Sequence, residues 1–187
     1  MTIYNILDLE EPAYILNGVL VPAADGSLQL ADQAGRANVY PTEFRALFEY
    51  FTRLRTQSEA LDARSRVGFD ADDLAALVQH GLLWRLTPGA VAAQIRAARF
   101  LLRAAVAERQ DWPGFVLFKV DADTITPVSE AGAALFKEAA GQPLGPTITR
   151  VAATAGIPEQ QVMRTVAADL TRLLSTGTVW VQAGESL

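Results

Sequence analysis

The fold is decided by a stretch that occurs twice, DLAALVQHGLLW at residues 73–84 and DLTRLLSTGTVW at residues 169–180. The two copies lie 169 − 73 = 96 positions apart, and such an echo is typical of an internal repeat. Each copy has apolar residues at helical spacing, then a glycine suited to end a helix, then a β-favouring run closed by Trp. The pattern predicts two related units, each ending in a helix that turns back into a strand.

A second, shorter echo supports the repeat. ALF at residues 46–48 recurs at residues 134–136, an offset of 134 − 46 = 88. The two offsets differ by 96 − 88 = 8 residues, which predicts a longer connection between the first and last helices of the second unit. We assign this insertion to residues 141–146, where glycine and proline are frequent.

The first half of the chain predicts a three-stranded antiparallel meander, three helices and a closing strand. The β-prone run at residues 14–21 and two further runs are separated by turn signals at residues 24–26 and 33–36. Ser58 and Asp70 are placed to cap the second and third helices.

The boundary between the units is predicted at TPG, residues 87–89, followed by a long helix to about residue 108. Arg96, Arg99 and Arg103 fall at i, i+3 and i+7 on this helix and form a basic ridge. Such a ridge is either an ordinary solvated face or a contact for an anion or a partner.

The second half predicts a buried strand at residues 115–120 that pairs with residues 124–126, then a helix capped by Ser129. A helix at residues 147–155, a tight turn and a long helix at residues 159–175 follow, which describes a winged helix-turn-helix. The predicted architecture is therefore α+β, with two winged-helix-like units at residues 1–88 and 111–187, joined by a long helix at residues 89–110.

The composition restricts the chemistry. The 187 residues include no Cys and one His, which excludes thiolate metal sites and most imidazole sites. Residues 1–90 hold seven Arg against twelve Asp and Glu, 7 − 12 = −5, and this charge repels phosphate backbones. The N-terminus lacks a signal-peptide pattern, and no run approaches the roughly 20 apolar residues of a membrane span. We expect a cytoplasmic protein with no membrane partner.

The candidate catalytic side chains all have structural explanations. His80 lies in the last turn of a predicted helix, where a positive charge complements the helix dipole. The carboxylates in residues 70–73 open a helix and those in residues 121–123 lie in a turn, which are the usual places for Asp. No glycine-rich phosphate loop is present. We therefore expect a protein that is not an enzyme and holds no metal or cofactor.

The predicted helix-turn-helix also allows a DNA-reading alternative. Its second helix would present residues 159–165, including Gln160, Gln161 and Arg164, to base edges. The chain has a net charge of −5 and no Lys or Arg cluster around that helix, so the phosphate-binding contribution is missing. A tandem winged-helix transcriptional regulator or chromosome-associated scaffold is the alternative interpretation, and nucleic acid binding is disfavoured.

The segments of the first unit are LQLAD at residues 28–32, ANVY at 37–40, ALF at 46–48 and FDADDLAALV at 69–78, followed by GLL at 81–83. From Tyr14 to Leu86 this pattern resembles the PqqD-like precursor-peptide recognition elements (RREs) of ribosomal peptide (RiPP) biosynthesis. In that family the leader part of a precursor peptide binds as an added strand, against the third strand and the third helix. The resemblance implies a peptide-binding groove formed by Arg36, Ala37, Asn38, Val39, Tyr40, Asp72, Ala75 and Gln79.

The second unit goes beyond the smallest members of that family. The whole chain looks more like the discrete partner proteins of modifying enzymes, including those of multinuclear non-haem iron oxidases that act on peptide Cys or Asp. The resemblance implies a heterodimer with such an enzyme, and we assign Arg96, Arg99 and Arg103 as its contacts. A plain dimerisation module, based on the apolar run at residues 115–120, is a further alternative.

Overall fold

The strands of this protein form small antiparallel sheets that alternate with helices along the chain. The structure is a computed structural model that describes residues 5–23, 25, 27–31, 37–103, 107–119, 125–139 and 141–182, without the side chains of residues 22, 65, 66 and 107–112. Within these ranges the protein has a mixed α+β structure, as predicted.

The first unit begins with a strand that the sequence pattern merged with the next one. The β-prone run divides at Asn17 and Gly18, and its two parts enter different sheets. The elements in order are β1 (Ala13–Leu16), β2 (Val19–Pro22), β3 (Leu28–Ala31), β4 (Ala37–Tyr40), α1 (Arg45–Phe51), β5 (Arg55–Thr56), α2 (Gln57–Val67), α3 (Ala71–Gln79) and β6 (Leu83–Leu86). The predicted meander is confirmed as β2-β3-β4, and β1 lies between β5 and β6.

Of the caps predicted for the second and third helices, one is confirmed. The Asp70 carboxylate accepts hydrogen bonds from the backbone N–H groups of residues 72 and 73 at 2.8 and 2.9 Å. The other prediction is wrong, because α2 begins at Gln57, one residue before Ser58. Its cap is Thr56, whose hydroxyl accepts from the Glu59 N–H while the Glu59 carboxylate accepts from the Thr56 N–H. This reciprocal capping box satisfies two helix-end donors at once.

The predicted long linking helix is wrong. The helix α4 covers only Val91–Ala97, and the chain continues as β7 (Arg99–Leu102) and β8 (Ala107–Trp112). Ala98 already has extended geometry, and Phe100 enters the core with 1% of its surface exposed. The pairing and burial of β7 outweigh the helix propensity of this run, because propensity is a weak preference that tertiary contacts override.

The second unit repeats the element order of the first. It consists of β7, β8, β9 (Phe115–Lys119), β10 (Ile125–Ser129), α5 (Glu130–Ala139), α6 (Leu144–Ala155), α7 (Glu159–Ser175) and β11 (Val179–Gln182). As predicted, β9 has a neighbour on each side, and β11 pairs with β7 as β6 pairs with β1. Both units are therefore a strand, a meander, three helices and a returning strand.

The eight-residue difference between the repeats lies inside the last helix, so its assignment to residues 141–146 is wrong. Helices α2 and α6 end at matching left-handed glycines, Gly68 (φ 77°) and Gly156 (φ 65°), with 156 − 68 = 88. Helix α3 has nine residues and α7 has seventeen, and 17 − 9 = 8. The extra residues lengthen α7 by about 12 Å.

The two units share a core through β1, which is buried on both faces. Tyr14 and Leu16 belong to the hydrophobic core of the first unit, whereas Ala13 and Ile15 belong to a core that extends through the second. Asn17 adds polar contacts, since its side chain exchanges two hydrogen bonds of 2.8 Å with the backbone of Val181 on β11.

Candidate functional site

The strand β4 forms the outer edge of the first meander. In the described part of the chain, no strand pairs with β4 on the side away from β3. Ala37, Asn38 and Val39 are exposed, and Val39 has 66% of its surface open to solvent. Arg36, the first residue of the predicted groove, lies outside the described residues.

The pairing of the meander determines which backbone groups of β4 point outward. Leu28 lies opposite Pro22 on β2 and opposite Tyr40 on β4. Because proline has no N–H, Leu28 directs its backbone hydrogen bonds toward Tyr40. Bond direction alternates along a strand, so the N–H and C=O of Val39 point away from the sheet. Among the described residues, no strand pairs with this donor and this acceptor.

Aromatic side chains lie beside this edge. Tyr40 contacts Phe44 and Phe48 edge to face, with ring centroids 6.5 and 5.1 Å apart. Phe44 and Phe48 stack on each other at 6.1 Å, and Phe44 keeps 37% of its surface exposed although it is large and apolar. The edge of β4 thus adjoins a partly uncovered aromatic surface.

The helix α3 contributes acidic and small side chains. The predicted groove residues Asp72, Ala75 and Gln79 are all exposed. Asp73 is exposed as well, but its carboxylate accepts the Asp70 N–H at 3.0 Å and so belongs to the capping box. His80 ends the helix as its C-cap residue, in agreement with the structural explanation given to it from sequence. This surface therefore carries the negative charge of Asp72 and Asp73.

The equivalent edge of the second unit, β10, is occupied by side chains of α7. Arg172 donates a hydrogen bond of 2.7 Å from its Nη1 to the backbone carbonyl of Pro127. The N–H of Ser129 donates to the two carboxylate oxygens of Asp169 at 3.2 and 3.3 Å, and the Ser129 hydroxyl donates to Oδ2 at 2.5 Å. Asp169 is 4% exposed. Sequence reasoning missed this cluster, although a proline at the end of a predicted strand is typical of an edge.

The three arginines assigned to a partner do not share a helical face. Arg96 lies in α4, Arg99 begins β7, and Arg103 follows β7. The Arg96 guanidinium binds the carboxylate of Glu159 at 2.5 Å, and a hydrogen bond from Thr149 together with this guanidinium holds the pKa of Glu159 below its ordinary value. The predicted basic ridge is therefore wrong, because the helix ends before its second member.

The helices of the predicted helix-turn-helix are present as α6 and α7. Gln160, Gln161 and Arg164 are exposed on the first turns of α7. The neighbouring cations are engaged within the protein, since Arg150 pairs with Glu138 and Arg172 binds β10. Little positive charge is left at this surface for phosphate groups.

Other classes of site receive no support within the described ranges. No helix there is long and apolar enough to cross a bilayer, and no three His, Asp or Glu side chains cluster as metal ligands do. Comparisons with protein-family models, with curated proteins and with solved structures found no match to this chain.

Proposed function

We propose that the first unit binds an extended precursor peptide as an additional strand on β4, and that the protein is a non-catalytic carrier that presents this peptide to a modifying enzyme. The observation that carries the proposal is the outward N–H and C=O of the exposed residue Val39. Strand addition uses such a free edge for main-chain hydrogen bonds, and neighbouring side chains select alternate residues of the guest.

The surroundings of the edge suggest which peptide would fit. The exposed ring of Phe44 offers contact to an apolar guest residue. The exposed Asp72 on α3 and the excess of acidic over basic residues in positions 1–90 favour basic residues in the guest. A basic peptide with alternating apolar residues is the class that this edge suits best.

The second unit is proposed to dock the modifying enzyme, so that carrier and enzyme form a heterodimer. Support comes from exposed apolar and basic side chains on that unit, namely Phe115, Ile125 and Arg99. We also propose that both units are winged-helix-like. Its support is the meander that precedes three helices in each unit.

The test separates main-chain from side-chain recognition at one residue. Peptides selected from a random display library on the wild-type chain are labelled and titrated by fluorescence anisotropy. Val39→Pro removes the outward N–H, and we expect at least about a tenfold loss of affinity, the worth of one or two net hydrogen bonds. Val39→Ala keeps the N–H and is the matched control, with an affinity close to that of the wild type.

Equal affinities of the wild-type and Val39→Pro chains would refute the edge as the peptide site. The same titration with duplex DNA tests the alternative of a tandem winged-helix regulator, which the exposed Gln160, Gln161 and Arg164 on α7 favour. A salt-dependent DNA affinity that Arg164→Ala removes, together with no peptide binding, would replace the peptide proposal by the regulator.

A further inference from the structure

We propose that this chain accepts a guest strand on the third strand of its first meander and not on the third strand of its second, because side chains of the last helix close the edge of the latter. The inference rests on the proposed function for the nature of the guest, whereas the closure of β10 is a property of the chain alone. The residues that close the edge are Pro127, Ser129, Asp169 and Arg172.

The contacts at β10 replace those that a guest strand would make. Thr126 and Val128 turn their side chains into the core, whereas Pro127 and Ser129 direct their backbone groups outward. The outward carbonyl of Pro127 accepts a hydrogen bond from the Arg172 guanidinium, and the outward N–H of Ser129 donates to the Asp169 carboxylate. Proline itself offers no N–H at the centre of this edge. The outward C=O of Pro127 and the outward N–H of Ser129 are therefore not available to another main chain.

The repeat offsets locate the same positions in the first unit. The meander offset places Val39 where the second unit has Pro127, since 127 − 39 = 88. The last helices align from their C-terminal ends, because the bond from Asn17 N to Leu82 O recurs from Arg103 N to Thr178 O, and 178 − 82 = 96.

By this alignment the first unit lacks the closing side chains. Ala76 stands where Arg172 does, since 172 − 76 = 96, and its methyl group cannot donate a hydrogen bond. Asp73 stands where Asp169 does, but its carboxylate caps its own helix. At the helix positions that close β10 in the second unit, α3 thus carries Asp73 and Ala76, and the predicted groove residues Asp72, Ala75 and Gln79 lie on the same helix.

The closure of β10 is built into the core and does not act as a mobile latch. The Ser129 hydroxyl also accepts the Gly132 N–H at 3.0 Å and so caps α5. Gly132 leaves no space beside the cluster, because a Cβ there would lie 2.1 Å from Asp169 Oδ2. Opening the edge would therefore disturb the start of α5 and a buried carboxylate together.

Amide hydrogen exchange, followed residue by residue by NMR on the full chain, tests the closure without any peptide. Corrected for intrinsic rates, the Ser129 amide should exchange at least about tenfold more slowly than the Val39 amide, because only the former is hydrogen-bonded outward. Asp169→Ala should accelerate Ser129 at least about tenfold while Thr126 and Val128, which bond β9, stay protected.

Equal exchange of Ser129 and Val39 in the wild-type chain would overturn the proposal, and this comparison needs no variant. The proposal would also fail if Ser129 stayed protected in an Asp169→Ala chain that remains folded. If closure is observed but selected peptides ignore Val39, the proposed function fails and the closed edge stands.

Discussion

The edges β4 and β10 occupy the same position in two units of the same element order, yet one is open and the other is closed. Both are the third strand of a meander that precedes three helices. Val39 is exposed with its backbone groups outward, whereas the backbone of Pro127 and Ser129 is bound by side chains of α7. The difference depends on single residues and not on topology, so a binding site cannot be read from the fold alone.

The aspartates that begin the two repeat copies show the same divergence. Asp73 is exposed in the first turn of α3, where its carboxylate accepts the Asp70 N–H. Asp169 lies within α7, because that helix extends further toward its N-terminus, and it is buried against Ser129. Because α7 is eight residues longer than α3, Asp169 lies at the centre of a buried polar cluster, whereas Asp73 caps its helix.

Of the substitutions at equivalent positions in the two copies, those of these aspartates should differ most in their effect on the free energy of unfolding. Asp169→Ala removes a buried carboxylate, leaves the half-buried Ser129 donors without an acceptor, and should lower the free energy of unfolding by about 3 kcal/mol. Asp73→Ala removes one partner of a capping box and should cost about 1 kcal/mol. Urea denaturation of both variants checks this. Equal losses would mean that the cluster closing β10 carries no special stability.

A smaller difference in stability loss is expected at the glycines that follow the last helix of each unit. Gly81 (φ 70°) and Gly177 (φ 62°) both have left-handed backbones, so Ala at either position should cost about 1 kcal/mol. A Cβ at Gly81 meets nothing within 4 Å, but at Gly177 it would lie 2.3 Å from Val19 Cγ2. Overpacking should therefore add about 1 kcal/mol for Gly177→Ala, as thermal unfolding can measure. Identical costs would contradict the close contact between the repeats.

The smallest expected effect concerns the pKa of two half-buried carboxylates, Glu159 in the second unit and Glu11 in the first. Thr149 and Arg96 lower the pKa of Glu159 from 4.5, and the hydroxyls of Ser58 and Thr56 lower that of Glu11. A lowered folded-state pKa means that the stabilisation is present above the unfolded pKa and is lost as pH falls through the folded one.

Thr149→Val and Arg96→Ala should each raise the pKa of Glu159 toward 4.5, so that its pH-dependent contribution to stability becomes smaller. Carboxyl NMR titration measures this shift, and Glu11 is the internal control because its partners are unchanged. A Glu159 pKa that stays the same in both variants would show that these contacts do not form in solution.

Several features of the fold followed from local pattern. The two echoes predicted two units with helices that end at glycine and return as strands, and Gly81 and Gly177 confirm the ends. The Asp70 cap and the central strand β9 were also predicted correctly. These features depend on residues close in sequence, where side-chain periodicity and backbone preference are decisive.

The failures share one cause, which is pairing between distant parts of the chain. The run after Ala97 has helical propensity, but it forms the strand β7 because it pairs with β11. The paired residues Arg99 and Gln182 are 182 − 99 = 83 positions apart. The closed edge was missed for the same reason, because Asp169 and Ser129 are forty positions apart. Local patterns carry no information about such partners.

The sequence by itself determined that this protein is a repeat of two α+β units, because apolar spacing and helix-ending glycines act locally. Only the tertiary structure decided where the extra length of the second copy lies and which sheet edge stays open. The reason is physical: an edge is open or closed according to whether a distant side chain reaches its outward N–H and C=O groups, and that depends on how the helices pack.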